Sequence, residues 1–207
     1  MFAFDNGESN HYEGLRLTHF YPESGLMWII TRLPLVLWRL GLGPILGKFL
    51  ILITTRGRKS ENPHRVITEY YCLGEKFYVP CAFGERSDWY QNILNDPQVT
   101  IQTSAGTRSA MAARVTEEEE FIEVYNLMHK KNELMLLWYL KSLGIEDNLE
   151  DILNKRDRIF LFRFEPIKDA QLPAQEVDLA WIYSAILLGL LVLRGIYNFL
   201  FERGRKS

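Results

Sequence analysis

The sequence predicts an α+β fold, an antiparallel barrel of about six strands with helices packed outside it. Three observations carry this reading. Six short runs rich in β-branched and aromatic residues recur along the middle of the chain: Phe49–Thr55, Arg65–Leu73, Lys76–Ala82, Gln98–Thr103, Thr107–Val115 and Arg158–Phe164. Tight turns join neighbouring runs. Leu73-Gly74-Glu75-Lys76 reads as a two-residue hairpin loop with glycine first, and Ser104-Ala105-Gly106 links the next pair. Few long helical patterns separate the runs, which favours antiparallel pairing over a parallel sheet with crossover helices.

The 207 residues suit one folded domain with appendages. Three parts are expected: an arm and apolar helix over 1–48, the barrel over 49–166, and an apolar helix with a basic tail over 167–207. Residues 1–24 are polar and mixed, without the basic start and apolar core of a secretory signal. Leu26–Leu40 is strongly apolar, with Arg32 and Arg39 one heptad apart, Pro34 inside it and Gly41-Leu42-Gly43-Pro44 stopping it. Asp88–Leu94 is a short helix ended by Asp96-Pro97. Thr116 starts a long helix with Glu119 in the capping-box position. Phe121–Leu143 carries Tyr125, Trp138 and Tyr139.

Composition narrows the function. Hydrophobic residues make up 47% and charged residues 24% of the chain, as in a globular protein. A net charge of −2 gives no global basic field for nucleic acid. Aromatic residues reach 13%, which suits a site for a flat ligand or an aromatic core. The four histidines are scattered and none pairs with cysteine at metal-ligand spacing, so no metal is expected.

The hairpin around Gly74 defines two faces. Tyr70, Cys72, Phe77, Val79 and Cys81 form one, read as core. Ile67, Glu69, Tyr71, Tyr78 and Ala82 form the other, where a flat heterocycle could stack; a homodimer interface is the alternative use of that face. In this register Cys72 faces Phe77 and Cys81 faces Thr68. The cysteines then lie roughly 13 Å apart, too far for a disulfide. Two buried free thiols fit a reducing cytoplasm.

The chemistry concentrates at Ile51–Ser60, an apolar strand that breaks at Thr54-Thr55 into Arg56-Gly57-Arg58-Lys59-Ser60. Such a turn offers backbone N–H groups, a hydroxyl and several cations, the donor set that phosphates and other anions bind. After a hairpin come Trp89-Tyr90-Gln91-Asn92 on a short helix and Asn95-Asp96-Pro97-Gln98-Val99 leading into a strand. In this order and spacing, from about Gly41 to Pro166, the chain resembles the deazaflavin (F420)-dependent nitroreductase family of split-barrel oxidoreductases, an FMN-binding-like fold.

The resemblance implies an enzyme that transfers hydride from reduced F420 to a small apolar acceptor such as a quinone, enone or nitro compound. It assigns Lys59 and Trp89 to cofactor contact, and Ile67 and Pro80 to the ring pocket. The turn chemistry adds Arg58, Ser60 and Arg65 for the anionic arm. Thr55 and Ala82 complete the cofactor-binding set. Tyr139 and Tyr71 are the candidate catalytic residues, each able to give a proton while the cofactor gives hydride. Departures are specific. Glu61 stands where the family has Gly, His64 where it has an Arg, Phe83 where some relatives have a Lys, and Glu69 where the nitroimidazole-activating members have a Tyr. Fewer cations leave FMN as the alternative cofactor, and a non-catalytic membrane-associated binding protein as the alternative function. The tail Leu179–Phe201 is apolar except for Arg194 and Asn198. With Arg203, Arg205 and Lys206 after it, it is expected to lie on the inner face of the membrane or on a partner subunit, keeping the barrel cytoplasmic.

Overall fold

The computed structural model describes residues 26–168, 172–177 and 180–203. The expected arm over 1–24 and the end of the tail, 204–207 with Arg205 and Lys206, lie outside the described residues. In chain order the elements are α1 (Leu26–Leu37), a π-turn (Trp38–Leu42), α2 (Gly43–Leu46), β1 (Leu50–Arg56), β2 (Pro63–Glu69), β3 (Tyr71–Leu73), β4 (Lys76–Pro80), α3 (Asp88–Asn95), β5 (Gln98–Thr103), β6 (Gly106–Arg114), α4 (Glu118–Ser142), α5 (Leu149–Asn154), β7 (Leu161–Ile167) and α6 (Ala180–Arg203). All seven strands form one antiparallel sheet in the order β2-β1-β5-β6-β7-β4-β3. The two edge strands, β2 and β3, are consecutive in sequence, so the sheet curls round until its edges meet at Tyr70.

Strand alternation builds two cores. Ile51, Ile53, Val79, Ile101, Phe162 and Phe164 point inside the curled sheet and are almost fully buried, with Tyr90 and Ile93 of α3 closing that space. Each such side chain contributes about 1.5–3 kcal/mol of burial. On the outer face of β3, β4 and β7, Tyr71, Tyr78 and Leu161 pack under α4 and α5 against Val124, Leu136, Tyr139, Leu140 and Ile152. α1 packs on β2 and α2 on β5. Gly41 takes φ 91° inside the π-turn, a left-handed conformation suited to glycine, and ends the apolar run there.

Several expectations change. The run 65–73 is two strands, because the chain turns at Tyr70, whose hydroxyl donates to the Gly47 carbonyl at 3.0 Å. β2 therefore pairs with β1, setting Ile67 opposite Leu52, and Thr68 does not face Cys81. Cys72 does pair with Phe77, but it is exposed, and only Cys81 is buried. The face bearing Tyr71 and Tyr78 is closed under α4 rather than open for stacking. No capping box forms at Thr116; α4 starts at Glu118, with Glu117 as N-cap and no side-chain cap. The last strand runs Leu161–Ile167, through Pro166. α5 was not expected. Its Asn148 caps it by accepting from the Asp151 N–H. Among the described residues no helix is long and apolar enough to cross a membrane.

Candidate functional site

The β1–β2 turn is built by short-range bonds. The Gly57 N–H donates to the Asn62 carbonyl at 2.9 Å and the Glu61 N–H to the Gly57 carbonyl at 2.8 Å. A Cβ at Gly57 would stand 2.6 Å from the His64 ring, so the close approach of His64 requires glycine. Glu61 sits at φ 58°, the left-handed region. A glycine meets that backbone without steric cost, which gives the family's glycine at this place a physical reason.

The turn is tied to α3 through a buried asparagine. Asn92 Oδ1 accepts from the Arg58 backbone N–H at 3.2 Å and from its guanidinium at 3.1 Å, while Asn92 Nδ2 donates to Thr55 Oγ1 at 3.1 Å. Arg58 also reaches the Asp88 carboxylate at 3.1 Å. Arg56 pairs with Asp96 at 2.9 Å, fixing the other end of α3. The structure thus engages Thr55 and Arg58 internally. It leaves Lys59 and Ser60 exposed on the turn, Lys59 with no ion pair among the described residues.

Arg65 and Ile67 lie half-buried on the outer face of β2, beside Thr54 and Leu52 of β1. Arg65 Nε and Thr54 Oγ1 are both buried without a hydrogen-bond partner. Trp89 is half-buried with its ring edge on Phe162, centroids 5.5 Å apart. Pro80, opposite Leu161, and Ala82 are half-buried beside the α4 cluster. The expected set therefore divides into a turn group with α3 (Thr55, Arg58, Lys59, Ser60, Trp89), a β2 pair (Arg65, Ile67) and a β4 group (Pro80, Ala82) that adjoins Tyr71, Tyr78 and Tyr139.

Burial first, then the neighbouring Glu69 carboxylate, holds the Tyr71 hydroxyl well above its ordinary titration range. Burial, then the hydrogen bond to Glu120 at 2.7 Å, does the same for Tyr78. Tyr139 is raised chiefly by burial, with Cys81 adding and the Phe160 backbone and Arg114 opposing, and its hydroxyl has no well-formed hydrogen bond among the described residues. All three stay protonated near neutrality and are potential donors.

Sequence reasoning missed a clamp at the sheet edge. Lys131 of α4 donates to the Tyr70 carbonyl at 2.6 Å and lies over the rings of Tyr70 and Tyr71 at 5.0 and 4.9 Å. Asn132 donates to Glu69 at 3.1 Å, and α4 breaks there with φ −155° and ψ 71°. Only the helix-weak asparagine inside a Leu- and Lys-rich run hints at it.

The curled antiparallel sheet carries a Gly-Arg-Lys-Ser turn tied to a Trp-Tyr helix, the order of elements met in the F420-dependent oxidoreductase family that the segment matches. Residues 41–133, somewhat under half of the chain, match the family described as F420H(2)-dependent quinone reductase, an oxidoreductase family that uses F420. No curated protein matches. Similar solved structures include an F420-H2 dependent reductase (21% identity, 56% of this chain and 93% of that chain, TM-score 0.44). The heme storage protein HutZ from Vibrio cholerae matches at 15% identity, over 66% of this chain and 90% of that one, with TM-score 0.42. A FAD-binding protein from Mesorhizobium loti matches at 11% identity over 58% and 82%, with TM-score 0.37. The residues present fit F420: among the described residues Lys59 and Arg65 are cations without an ion pair, Arg65 lies beside an unmet Thr54 hydroxyl, and the cofactor's arm is anionic.

Proposed function

We propose that this chain transfers hydride from reduced F420 to a small apolar acceptor, a quinone first, with enones and nitro compounds as further acceptors. The observation that carries the reading is a pair of cations without an ion pair among the described residues, Lys59 on the turn and Arg65 on β2, beside a turn already fixed to α3 by Asn92. Bound F420 supplies a two-electron hydride donor. The chain's own residues hold and orient it. Lys59, Ser60 and Arg65 bind the arm, Arg58 and Thr55 stiffen the turn that presents them, and Trp89, Ile67, Pro80 and Ala82 border the ring. Of the two candidate catalytic tyrosines, Tyr71 has a titratable partner, Glu69, beside its hydroxyl, and is the preferred proton donor.

The acceptor reaches the site from an apolar surface. Leu187, Leu188, Leu190, Leu191 and Leu193 of α6 are each more than half exposed, and exposed leucines on every side of this stretch favour a lipid surface over a one-sided protein contact. Peripheral contact with the inner face of the membrane, with the barrel in the cytoplasm, fits this exposure; packing of α6 in a homodimer is the competing use. The decisive assay follows F420H2 oxidation spectroscopically with menadione as acceptor. Turnover supports the reading. No F420 binding by fluorescence titration, or binding without oxidation by any quinone, enone or nitro acceptor, would sink it.

A further inference from the structure

The outer face of β2, β1, β5 and β6 carries a polar row that internal bonding leaves largely unused. Strand pairing sets Arg65, Thr54, Thr100 and Ser109 side by side, each about 4.8 Å from the next. Thr54, Thr100 and Ser109 are 0%, 2% and 8% exposed. Thr54 Oγ1, Ser109 Oγ and Arg65 Nε have no hydrogen-bond partner. Buried polar atoms are normally satisfied, so three unmet ones on one face call for a partner. Glu69, the carboxylate on the outer face of β2, is held by Asn132 and leaves Arg65 uncompensated.

An extended segment, 172–177, runs along β5 over this row. Thr100 Oγ1 donates to the Leu172 carbonyl at 2.8 Å. Gln102 grips the Gln175 backbone twice, donating to its carbonyl at 3.2 Å and accepting from its N–H at 2.6 Å. The strap thus satisfies the two β5 side chains and leaves the hydroxyls on either side of Thr100 unmet.

We propose that this row is an oxyanion site held shut by the strap 172–177. The proposal rests on the reading of Arg65 as an anion-binding cation. A phosphate or carboxylate group accepts from a guanidinium and hydroxyls together, which matches this set of donors. The unmet atoms are closed to solvent, and the strap, bonded to Thr100 between the two hydroxyls, is in this proposal the cover that lifts, so strap and ligand compete. The anion is either the arm of F420 or a free phosphate.

Amide hydrogen exchange on the full-length chain tests this, reading Ala174–Val177 alone, with saturating F420 and, separately, with inorganic phosphate. Either ligand is expected to accelerate strap exchange several-fold. Gln102→Leu, which releases the strap, should tighten ligand binding several-fold. Thr54→Val and Ser109→Ala remove only unmet hydroxyls, so they should fold normally and weaken the anion several-fold. A response to F420 alone assigns the cofactor's arm. A response to phosphate alone keeps the closed site and removes Arg65 from cofactor binding. Strap exchange unchanged by both ligands overturns the proposal, even where F420 binds and Lys59→Ala abolishes that binding. Unchanged affinities in the Thr54 and Ser109 variants overturn it as well.

Discussion

The side-chain amide of Asn132 donates to the Glu69 carboxylate at 3.1 Å, at the residue where α4 breaks and the two edges of the sheet come together. The same side chain accepts from the Met135 N–H at 3.3 Å, so Asn132 is the N-cap of a second helix, and α4 is two helices meeting at the sheet edge. Asn132→Ala is expected to cost about 1–2 kcal/mol, a lost cap plus a lost hydrogen bond to a charged group. Glu69→Gln keeps an oxygen acceptor and should cost less than Glu69→Leu. Urea denaturation of the three variants checks the order. Equal losses for Gln and Leu would show that Glu69 does not act through this bond.

Lys59 and Arg58 stand one residue apart and should behave differently. Lys59 has no partner among the described residues, so Lys59→Ala should leave the melting temperature unchanged and weaken F420 about tenfold, the loss of one charge-assisted contact of about 1.5 kcal/mol. Arg58 joins the turn to Asp88 and Asn92, so Arg58→Ala should lower the melting temperature and weaken F420 indirectly. Fluorescence titration beside a thermal melt separates the two. A Lys59→Ala variant with wild-type F420 affinity would remove that residue from the site.

The tyrosines under α4 divide in the same manner. Tyr139→Phe deletes a buried hydroxyl that has no well-formed hydrogen bond among the described residues, so stability should hold or rise slightly. Tyr71→Phe deletes the hydroxyl beside Glu69 and should lower turnover with menadione a hundredfold or so, the usual scale of a general acid. If Tyr139→Phe abolishes turnover while Tyr71→Phe does not, the proton comes from the α4 side of the cluster.

How much of this was legible depended on the range of the causes. The apolar run that breaks at Thr54-Thr55 is local, and it placed β1, a strand buried on both faces. The Gly74-Glu75 turn is local too, and it gave the Cys72–Phe77 pairing. The break at Tyr70 is not local: its hydroxyl bonds to Gly47, far back in the chain, while the flanking residues keep an unbroken strand pattern. That one break moved Thr68 away from Cys81 and turned an expected stacking face into a closed core. At the site, the basic turn and the Trp-Tyr helix were readable as types. The division of labour between Arg58 and Lys59 was not, because it is set by Asn92, 34 residues from Arg58.

Glu61 offers a direct test of backbone strain. A non-glycine residue at φ 58° carries a cost of about 1–2 kcal/mol, partly offset in a Glu61→Gly change by the greater entropy of glycine in the unfolded chain. Glu61→Gly should therefore stabilise the protein by up to about 1 kcal/mol, whereas Glu61→Val should destabilise it. Thermal melts of both variants decide. A lower melting temperature for the glycine variant would mean that the glutamate side chain makes up for its backbone.

Cys81 sets a pH dependence at the alkaline end. Burial pushes its thiol up to about 11, against the lowering effect of hydrogen bonds to Ser87 and Gly84. In the unfolded chain the thiol titrates near 9.0. Between those values the folded protein keeps a proton that the unfolded chain has released. Its contribution to stability is therefore fully present below pH 9 and is lost as the pH rises through about 11, a change of about 2–3 kcal/mol. Cys81→Ala should flatten that part of the stability curve, and urea denaturation at pH 8 and pH 10.5 measures the difference between variant and wild type. Because buried tyrosines titrate higher still, it is this difference, not the wild-type slope alone, that reports on Cys81. Iodoacetamide gives an independent readout: Cys72, being exposed, should label in the native protein, and Cys81 only on unfolding. Native labelling of Cys81 at the rate of Cys72, or identical pH curves with and without the thiol, would contradict its burial beneath the α3 loop.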